Sequence, residues 1–493
     1  MKTMLLKTAS LFCGLLLCMS AFGVSKSKVK DKVKDKVQDI EQIYSTPTKH
    51  WVELKKPTAS INKNQVKADI VIYSDSLLQK IDGFGGAFNE MGWTSLKTIP
   101  DAEAKKVIES LFSKEGCNLS MGRMPIGASD YALSYYSFDD VPEDFVMRDF
   151  NIDRDKFILM AYIKEALKVR PDMKLWGSPW TPPAWMKVNE HYSMRNGDLN
   201  GRTGGNRMTD GAQILNNATA FKMQERYLKA YALYFSKFVK AYKAEGVNVY
   251  AIMPQNEIAY TPNWPACTWR PEDLAYFIKD FMGPQMEKDS LGTEIWLGTI
   301  NYANPNYVKT ILDDKKAAKY IKGVGFQWAG SKCIPTISKD YPQYNFMQTE
   351  NICGEGENNW TSLQRSWGTM IHYFNNGVSS YMYWNMILDE NGMSAWGWPQ
   401  NSMVVIDKNE KTVKYTDEFY LFKHFSHFVQ PGDHLLKSST GENHIAFKLK
   451  DGRVLLLINN PKETEESLNV QVGAKSLNVK LLPTSINSFV LRN

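Results

Sequence analysis

Short apolar segments alternate with longer helical patterns from about Gly83 onwards, and this alternation constrains the fold more than any other feature. Eight segments have the length and composition of buried strands: Gly83–Phe88, Asn118–Ile126, Met173–Ser178, Asn248–Pro254, Glu294–Ile300, Gly323–Trp328, Asn345–Thr349 and Ser380–Met386. Helical patterns separate them: Asp101–Phe112, Ile152–Val169, Ala218–Glu245, Pro271–Glu287, Pro305–Tyr320 and Ser362–Asn375. This order favours an α/β fold with a parallel sheet. Eight strand–helix units predict a (β/α)8 TIM barrel with insertions.

A doubly wound open sheet is the alternative architecture. Such sheets usually carry a glycine-rich phosphate turn with the pattern GxGxxG or GxxxxGK[ST]. The segment Gly83-Phe84-Gly85-Gly86 is rich in glycine but has neither spacing. It is typical of a strand end where two backbones pass close together, so we predict no nucleotide cofactor.

The residues after the barrel change character, because short strand patterns follow one another without helices. They are Ile445–Leu449, Arg453–Ile458, Ser467–Val472, Leu477–Leu482 and Ile486–Leu491. Strand patterns at Trp51–Leu54 and Ala68–Ser74 precede the barrel. We therefore predict a side β-sandwich formed from both terminal segments. The predicted divisions are a signal peptide at 1–23, a charged linker at 24–45, N-terminal sandwich strands at 46–80, the barrel at 81–430 and C-terminal sandwich strands at 431–493.

The first residues predict export. Lys2 and Lys7 precede the mostly apolar run Thr8–Met19, and Ala21-Phe22-Gly23 has the small-x-small pattern of a cleavage site. We expect a periplasmic, cell-surface or secreted protein, with an N-terminal anchor or a lipidated Cys18 as the alternative. The apolar run is too short to span a membrane, and no later segment is long enough.

The formal net charge of +6 comes from the N-terminus rather than from the body of the protein. Residues 1–36 contain eight of the 59 Lys and Arg residues and two of the 53 Asp and Glu residues, which leaves 51 of each sign in the rest. A neutral body gives no basis for binding nucleic acid or an anionic membrane. The composition, 43% hydrophobic and 23% charged, also excludes a disordered chain.

Cysteine and histidine residues suggest no metal site. Export permits disulfides among Cys117, Cys267, Cys333 and Cys353, but unpaired buried cysteines are at least as compatible with a domain of this size. The segment His424-Phe425-Ser426-His427 places two imidazoles on one helix face, where the last barrel helix is expected, and this favours packing over metal binding. We predict no metal and no cofactor.

Two of the predicted barrel strands end in a glutamate. Strand four runs into Gln255-Asn256-Glu257, and strand seven runs into Thr349-Glu350. Reactive groups of TIM barrels lie at the carboxyl ends of the strands, so both carboxylates are expected in one mouth. A pair of carboxyl groups is the minimum apparatus for glycoside hydrolysis: one protonates the leaving oxygen, and the other attacks the sugar or activates a water molecule.

The other strand ends supply polar and aromatic candidates: Arg123, Asp130, Trp176, Trp180, Trp185, Gln327, Trp328, Trp384 and Asn385. Aromatic residues make up 12% of the chain, and their flat faces suit carbohydrate. The pair Trp396 and Trp398 is equally compatible with a core or a groove. The sequence has neither a GxSxG elbow nor an HExxH helix. A carbohydrate-binding protein without catalysis is the alternative from another functional class.

Six motifs, in order, resemble those of glycoside hydrolase family 30. They are Gly83-Phe84-Gly85-Gly86, Arg123-Met124-Pro125, Ser178-Pro179-Trp180-Thr181, Gln255-Asn256-Glu257, Thr349-Glu350 and Tyr383-Trp384-Asn385. The resemblance implies a barrel with a side β-sandwich and a retaining double displacement. It implies that Glu257 is the acid/base and Glu350 the nucleophile. It also implies that Asp130, Trp180, Asn256 and Trp384 hold the sugar and that Arg123 supports the nucleophile. At the end of strand six, Trp328 is predicted to bind substrate and Gln327 to support the site.

The substrate is expected to be a polysaccharide with β-glucosidic bonds. The segment Gln327-Trp328-Ala329 stands where animal glucosylceramidases have a His-Trp-Tyr run, and it looks more like bacterial members that act on β-glucans. We therefore expect an endo-β-1,6-glucanase first. A glucosylceramidase-like enzyme, an exo-acting β-glucosidase and a xylan-active relative are the alternatives.

Overall fold

A computed structural model describes residues 40–61, 66–197, 206–216 and 218–492. The predicted signal peptide, residues 1–23, and most of the predicted linker, residues 24–45, lie outside these ranges. Within the described residues, no helix combines the length and the apolar character that crossing a membrane requires.

The first four strands belong to the side domain: β1 Ile40–Thr46, β2 Lys49–Glu53, β3 Ser60–Ile61 and β4 Ile70–Lys80. The start of β1 corrects the predicted linker, because residues 40–45 are part of a strand. Ile40, Ile43 and Tyr44 are buried, and β1 pairs with β2 on one side and with the last strand of the chain on the other. Burying these apolar side chains in the sheet removes their surface from water, which favours the strand over a solvated linker.

The next eight strands form a closed parallel barrel: β5 Gly83–Ala87, β6 Met121–Pro125, β7 Lys174–Ser178, β8 Val249–Ile252, β9 Glu294–Ile300, β10 Ile321–Gln327, β11 Asn345–Glu350 and β12 Ser380–Asn385. They follow the chain order around the ring, and β12 closes on β5. Large side chains fill the interior, among them Trp176, Met253, Trp296 and Met382. The predicted TIM barrel is confirmed, and all eight predicted strands are present.

Helices lie between the barrel strands, and one follows the last of them: α1 Glu90–Leu96, α2 Asp101–Phe112, α3 Asp153–Phe157, α4 Leu159–Val169, α5 Glu225–Ala244, α6 Pro271–Phe277, α7 Gly283–Lys288, α8 Pro305–Asp313, α9 Lys315–Ala318, α10 Ile334–Asp340, α11 Trp360–Asn375 and, after β12, α12 Asp417–Ser426. The helix predicted at Ala218–Glu245 begins later, at Glu225. The backbone N–H of Ala220 bonds to the carbonyl of Thr268, and that of Lys222 bonds to the carbonyl of Met186. These long-range bonds take the place of the helical hydrogen bonds that residues 218–224 would otherwise make.

A small sheet follows the barrel: β13 Ile387–Asp389, β14 Val404–Asp407 and β15 Thr412–Tyr415. The last six strands complete the side domain: β16 His434–Ser438, β17 His444–Lys448, β18 Val454–Asn460, β19 Glu466–Val472, β20 Lys475–Leu481 and β21 Ser485–Leu491. With β1 to β4 they form one mostly antiparallel sheet of ten strands. Apolar residues from both terminal segments share its core, for example Ile72, Leu456 and Phe489. The predicted side domain made from both ends of the chain is therefore confirmed.

Four cysteines and His424 are buried in the packed interior. Cys117, Cys267, Cys333 and Cys353 are buried and unpaired. His424 is buried between the hydroxyls of Ser45 and Ser488, at 2.9 and 2.7 Å from its ring nitrogens. It thus links α12 to the first and last strands of the side sheet.

Candidate active site

The carboxyl ends of the barrel strands surround a pocket of about 230 Å³. Its lining combines three carboxyl groups, two amides and five aromatic rings: Asp130, Glu257, Glu350, Asn256, Asn301, Trp180, Tyr260, Trp264, Trp328 and Trp398. A concave site with a few convergent polar groups among aromatic rings suits a polar ligand with apolar faces.

Glu350 is the last residue of β11 and is only 7% exposed. Arg123 on β6 donates from Nη1 to its Oε2 over 2.7 Å, and the indole Nε1 of Trp328 donates to its Oε1 over 2.8 Å. Both carboxylate oxygens therefore have a donor, and one donor is a cation. Such charge-assisted bonds stabilise the ionised form and fix the direction of the side chain.

Arg123 is itself fixed within the barrel. Its guanidinium is fully buried and lies 4.6 to 5.3 Å from the ring centres of Trp176, Trp180 and Trp384. Its Nη2 donates to Asn256 Oδ1 over 2.6 Å. Planar Arg suits this place, since it can bond to two groups while its face lies against indole rings.

Glu257 follows β8 in a sparsely populated backbone conformation, with φ of 52°. Its N–H is held by Thr299 Oγ1 at 3.0 Å. Gln327 at the end of β10 donates from Nε2 to Glu257 Oε1 over 3.2 Å. Thr349 Oγ1 donates to the Gln327 oxygen over 2.8 Å, which orients the amide nitrogen towards Glu257. Strained backbone held in place by its neighbours is a common feature of reactive sites.

The two glutamates differ in how their charge is stabilised. Burial and the charge of Glu350 raise the pKa of Glu257 to about 8. Burial also raises the pKa of Glu350, but there the Arg123 charge and the Trp328 and Arg123 hydrogen bonds act in the opposite direction. Glu257 has only a neutral amide donor, so the proton shared by this pair resides on Glu257 near neutral pH.

Asn256 and Asp130 offer groups to a ligand. The Asn256 oxygen accepts from Arg123, from Thr299 Oγ1 at 3.0 Å and from Gln327 Nε2 at 3.3 Å, so its amide N–H group is the part available to the pocket. Asp130 is 6% exposed, and its Oδ1 has no hydrogen-bond partner among the described residues. Burial and the Glu350 charge raise the pKa of Asp130 to about 8. An unsatisfied buried oxygen is an efficient acceptor for a ligand hydroxyl.

The structure brings eight of the nine predicted site residues to the pocket or into direct contact with a glutamate. Trp384 lies one layer deeper: it packs against Trp180 at 5.1 Å between ring centres and is not among the residues that line the pocket. Gln327 and Arg123 act from behind the lining through their hydrogen bonds. Trp185 packs away from the pocket, against Phe145 at 5.6 Å.

Four lining residues were absent from the sequence prediction or left undecided in it. Asn301 directly follows β9 and could have been found by the strand-end rule that found Glu257. Tyr260 and Trp264 lie in the loop after Glu257, and no local pattern indicates that this loop folds back over the pocket. Trp398 lines the pocket and packs against Trp264 at 5.3 Å, so this ring belongs to the groove.

Replacing Arg123 by Gln is expected to move the acidic limb of the kcat/KM profile to higher pH by about one unit or more. The change removes the cation that stabilises ionised Glu350, so the carboxylate gains its proton at a higher pH and the active form is lost sooner on acidification. The matched control is Arg154→Gln, since Arg154 bonds to another buried carboxylate, Glu90, over 2.7 Å. An unchanged acidic limb in Arg123→Gln would contradict this electrostatic role.

A protonated and an ionised carboxyl group in one aromatic pocket can perform acid-assisted displacement at an acetal carbon. The ionised group attacks or directs the attack, and the protonated group donates to the departing oxygen. No metal ion is required for these steps, because the two side chains supply the nucleophile and the proton.

Comparison with known proteins agrees with this geometry. The family model described as "Glycosyl hydrolase family 30 TIM-barrel domain" matches residues 81–429. The chain is 29% identical to putative glucosylceramidase 1 of Caenorhabditis elegans, over 83% of this chain and 80% of that protein. It is 28% identical to endo-1,6-beta-D-glucanase neg1 of Aspergillus fumigatus, over 73% of this chain and 72% of that protein.

A solved structure shows the same fold. SrfJ from Salmonella typhimurium superposes with a TM-score of 0.79 at 24% identity and covers 92% of this chain and all of its own. The family model spans well over half of the chain, from the start of the barrel to its last helix. The protein is therefore a glycoside hydrolase of the retaining type that is typical of this family, and the chain belongs to glycosyl hydrolase family 30.

Proposed function

We propose that the protein is an endo-β-1,6-glucanase that cleaves by double displacement, with Glu350 as nucleophile and Glu257 as acid/base. Glu350 attacks the anomeric carbon and forms a covalent glycosyl-enzyme while Glu257 protonates the leaving oxygen. Glu257 then takes a proton from water, which displaces Glu350 from the sugar. Both groups return to their starting protonation states, as a retaining cycle requires.

One observation carries this assignment: both oxygens of Glu350 have donors, one of them the Arg123 guanidinium, whereas Glu257 has a single neutral donor. The ionised group is suited to attack and the protonated group to donate. Once Glu350 is bound to the sugar, its charge is gone, and the pKa of Glu257 falls. That fall suits Glu257 to act as a base in the second step.

The substrate proposal is supported by the relatives and by the pocket. An endo-1,6-beta-D-glucanase is among the curated proteins that resemble this chain. Uncharged sugar rings suit aromatic walls such as Trp180, Trp264 and Trp398. The neutral body of the chain, with 51 residues of each charge after residue 36, also fits an uncharged polysaccharide. A glucosylceramide is the second candidate, because putative glucosylceramidase 1 is another relative of similar identity.

The product profile on four substrates tests the proposal: β-1,6-glucan, β-1,3-glucan, xylan and glucosylceramide. A ladder of gentiooligosaccharides from β-1,6-glucan is the expected result. Free glucose as the sole product would show that the enzyme acts from the chain end, as an exo enzyme, and would contradict the endo mode. Ceramide release without action on the glucans would overturn the substrate proposal in favour of the second candidate.

We also propose that the enzyme is exported. Lys2, Lys7 and the apolar run Thr8–Met19 support this, as does the small-x-small segment that ends at Gly23. Mass spectrometry of the protein from its native cells should find a new N-terminus close to Val24. An intact Met1 in the cell-associated protein would contradict export by cleavage.

A further inference from the structure

Lys187 is a fully buried lysine in the segment after β7, and the proposed catalytic steps do not use it. Its Nζ lies 2.9 Å from the carbonyl oxygen of Tyr192, 3.2 Å from that of Ser193 and 2.6 Å from that of Ala266. An ammonium group has three N–H donors and no acceptor, so three carbonyls satisfy it completely. Burying a charged lysine costs free energy unless its N–H groups have partners, and here the three carbonyl oxygens supply a partner for each N–H group.

The three carbonyls belong to two different loops. Tyr192 and Ser193 lie after β7, whereas Ala266 lies after β8, in the loop that begins at Glu257. The backbone joins the same loops, since the N–H of Ala266 bonds to the carbonyl of Tyr192 over 3.1 Å. The hydroxyl of Ser193 also donates to the carbonyl of Asn263 over 2.9 Å. Lys187 is thus the charged centre of a junction between the loops.

The loop after β8 carries two of the aromatic rings that line the pocket. Trp264 packs against Trp398 at 5.3 Å and against Tyr260 at 5.7 Å between ring centres. Trp398 in turn lies 6.2 Å from Trp328, whose indole bonds to Glu350. Moving the backbone between Pro262 and Ala266 would therefore displace one wall of the pocket, whereas Glu350 is also held by Arg123 on β6, which does not belong to this loop.

We propose that Lys187 is a positioning residue for substrate binding, whose ammonium group fastens the loop after Glu257 so that the Trp264 ring forms one wall of the pocket. The inference rests on the proposed glycosidase site but not on the identity of the glycan. Stacking on such a ring contributes to binding of sugar units, and holding the ring in advance lowers the ordering cost of binding. Loss of Lys187 should hence act on KM more than on kcat.

Lys187→Met tests this role, because Met keeps most of the stem and removes the charge. We expect KM for gentiotetraose to rise about tenfold, with kcat on 4-nitrophenyl β-D-glucoside within about threefold of the parent. The matched control is Lys222→Met: Lys222 lies in the same region but pairs with a surface side chain, Glu190, at 2.7 Å. Its kinetic constants should stay near those of the parent. An equal fall of kcat on both substrates with an unchanged KM would overturn the proposal.

Hydrogen exchange separates this inference from the proposed function. In Lys187→Met, amides of residues 259–268 should exchange about tenfold faster or more, while those of the barrel strands stay protected. This readout needs no turnover, so it decides the role of Lys187 even if the parent cleaves neither substrate. Unchanged exchange in 259–268 would overturn the proposal whatever the activity.

The parent protein supplies a second measurement if Lys187→Met fails to fold. Burial lowers the pKa of Lys187 to about 7, and the titratable groups that face it are the Cys267 thiol and the His191 imidazole. Above that pH the amine keeps only two donors for three carbonyls. Exchange in 259–268, corrected for the intrinsic rate, should accelerate between about pH 6 and about pH 9. An equal acceleration in the barrel strands would overturn the proposal, because it would report opening of the whole protein rather than of this loop.

Discussion

Glu350→Gln is expected to lower kcat/KM on every glycoside that the parent cleaves, by about 10⁴-fold or more, while the protein stays folded. The amide has nearly the same volume as the carboxylate, and it still accepts a bond from Arg123 or Trp328 through its oxygen. It cannot attack the anomeric carbon, so the covalent intermediate does not form. Steady-state kinetics on 4-nitrophenyl β-D-glucoside, together with a thermal unfolding curve, measure the two expectations.

The matched control is Glu355→Gln, an exposed carboxyl group five residues further along the same loop. It should leave kcat/KM within about twofold of the parent, as is usual for surface changes. Azide supplies a stricter test in Glu350→Ala. A small anion that enters the space vacated by the carboxylate attacks from the same face and gives the α-glucosyl azide. Recovery of the β-azide instead would place Glu350 on the leaving-group side of the sugar and would contradict its role as nucleophile.

The barrel was predictable from sequence because its strands are covered on both sides. The strand Ser380–Asn385 is buried at every position, and its four central residues form an apolar run between polar helical patterns. The start of the side domain was harder to predict. Residues 40–45 follow a stretch rich in Lys and Asp, and most of their strand pairing is with β21, at the other end of the chain, which local sequence does not reveal.

The glutamates were predictable because TIM barrels place the ends of their strands at one face. Glu257 and Glu350 follow apolar strands directly, so their position along the chain fixes their position in space. Trp264 was not predictable in this way. It lies seven residues beyond Glu257, and the path of that loop depends on tertiary contacts such as the bond from Lys187 to Ala266. Local sequence patterns carry no information about such contacts.

Two identical side chains acquire different chemistry here through their neighbours. Arg123 comes from β6 and Trp328 follows β10, and both donate to Glu350 rather than to Glu257. Gln327 is the last residue of β10 and donates to Glu257. The adjacent residues Gln327 and Trp328 therefore donate to different glutamates. The division between acid and nucleophile thus arises chiefly from β6, whose Arg123 gives Glu350 a cationic donor, and it fits a site held by a rigid barrel.

The alkaline limb of the kcat/KM profile is expected near pH 8 and is expected to become shallower in Glu257→Gln, because the variant loses the contribution of Glu257. The pKa of Glu257 is raised to about 8 by burial and by the Glu350 charge, so the group is protonated below that pH and loses its proton above it. Donation to the leaving oxygen requires the protonated form, and therefore activity falls as the pH rises through this value. Gln carries no titrating proton, so the fall in kcat/KM that remains in the variant reports the other groups that titrate in this range, Asp130 with a pKa of about 8 and Lys187 with a pKa of about 7.

The leaving group decides how large the loss in Glu257→Gln is. On a gentiooligosaccharide the departing alcohol needs a proton, and kcat/KM should fall by about 10²- to 10⁴-fold. On 2,4-dinitrophenyl β-D-glucoside the departing phenolate needs none, so formation of the glycosyl-enzyme should stay near the parent rate. The second step then lacks its base, and a burst of phenolate followed by slow turnover is expected. An equal fall in kcat/KM on both substrates would show that Glu257 positions the sugar and does not transfer a proton, because positioning is needed whatever the leaving group.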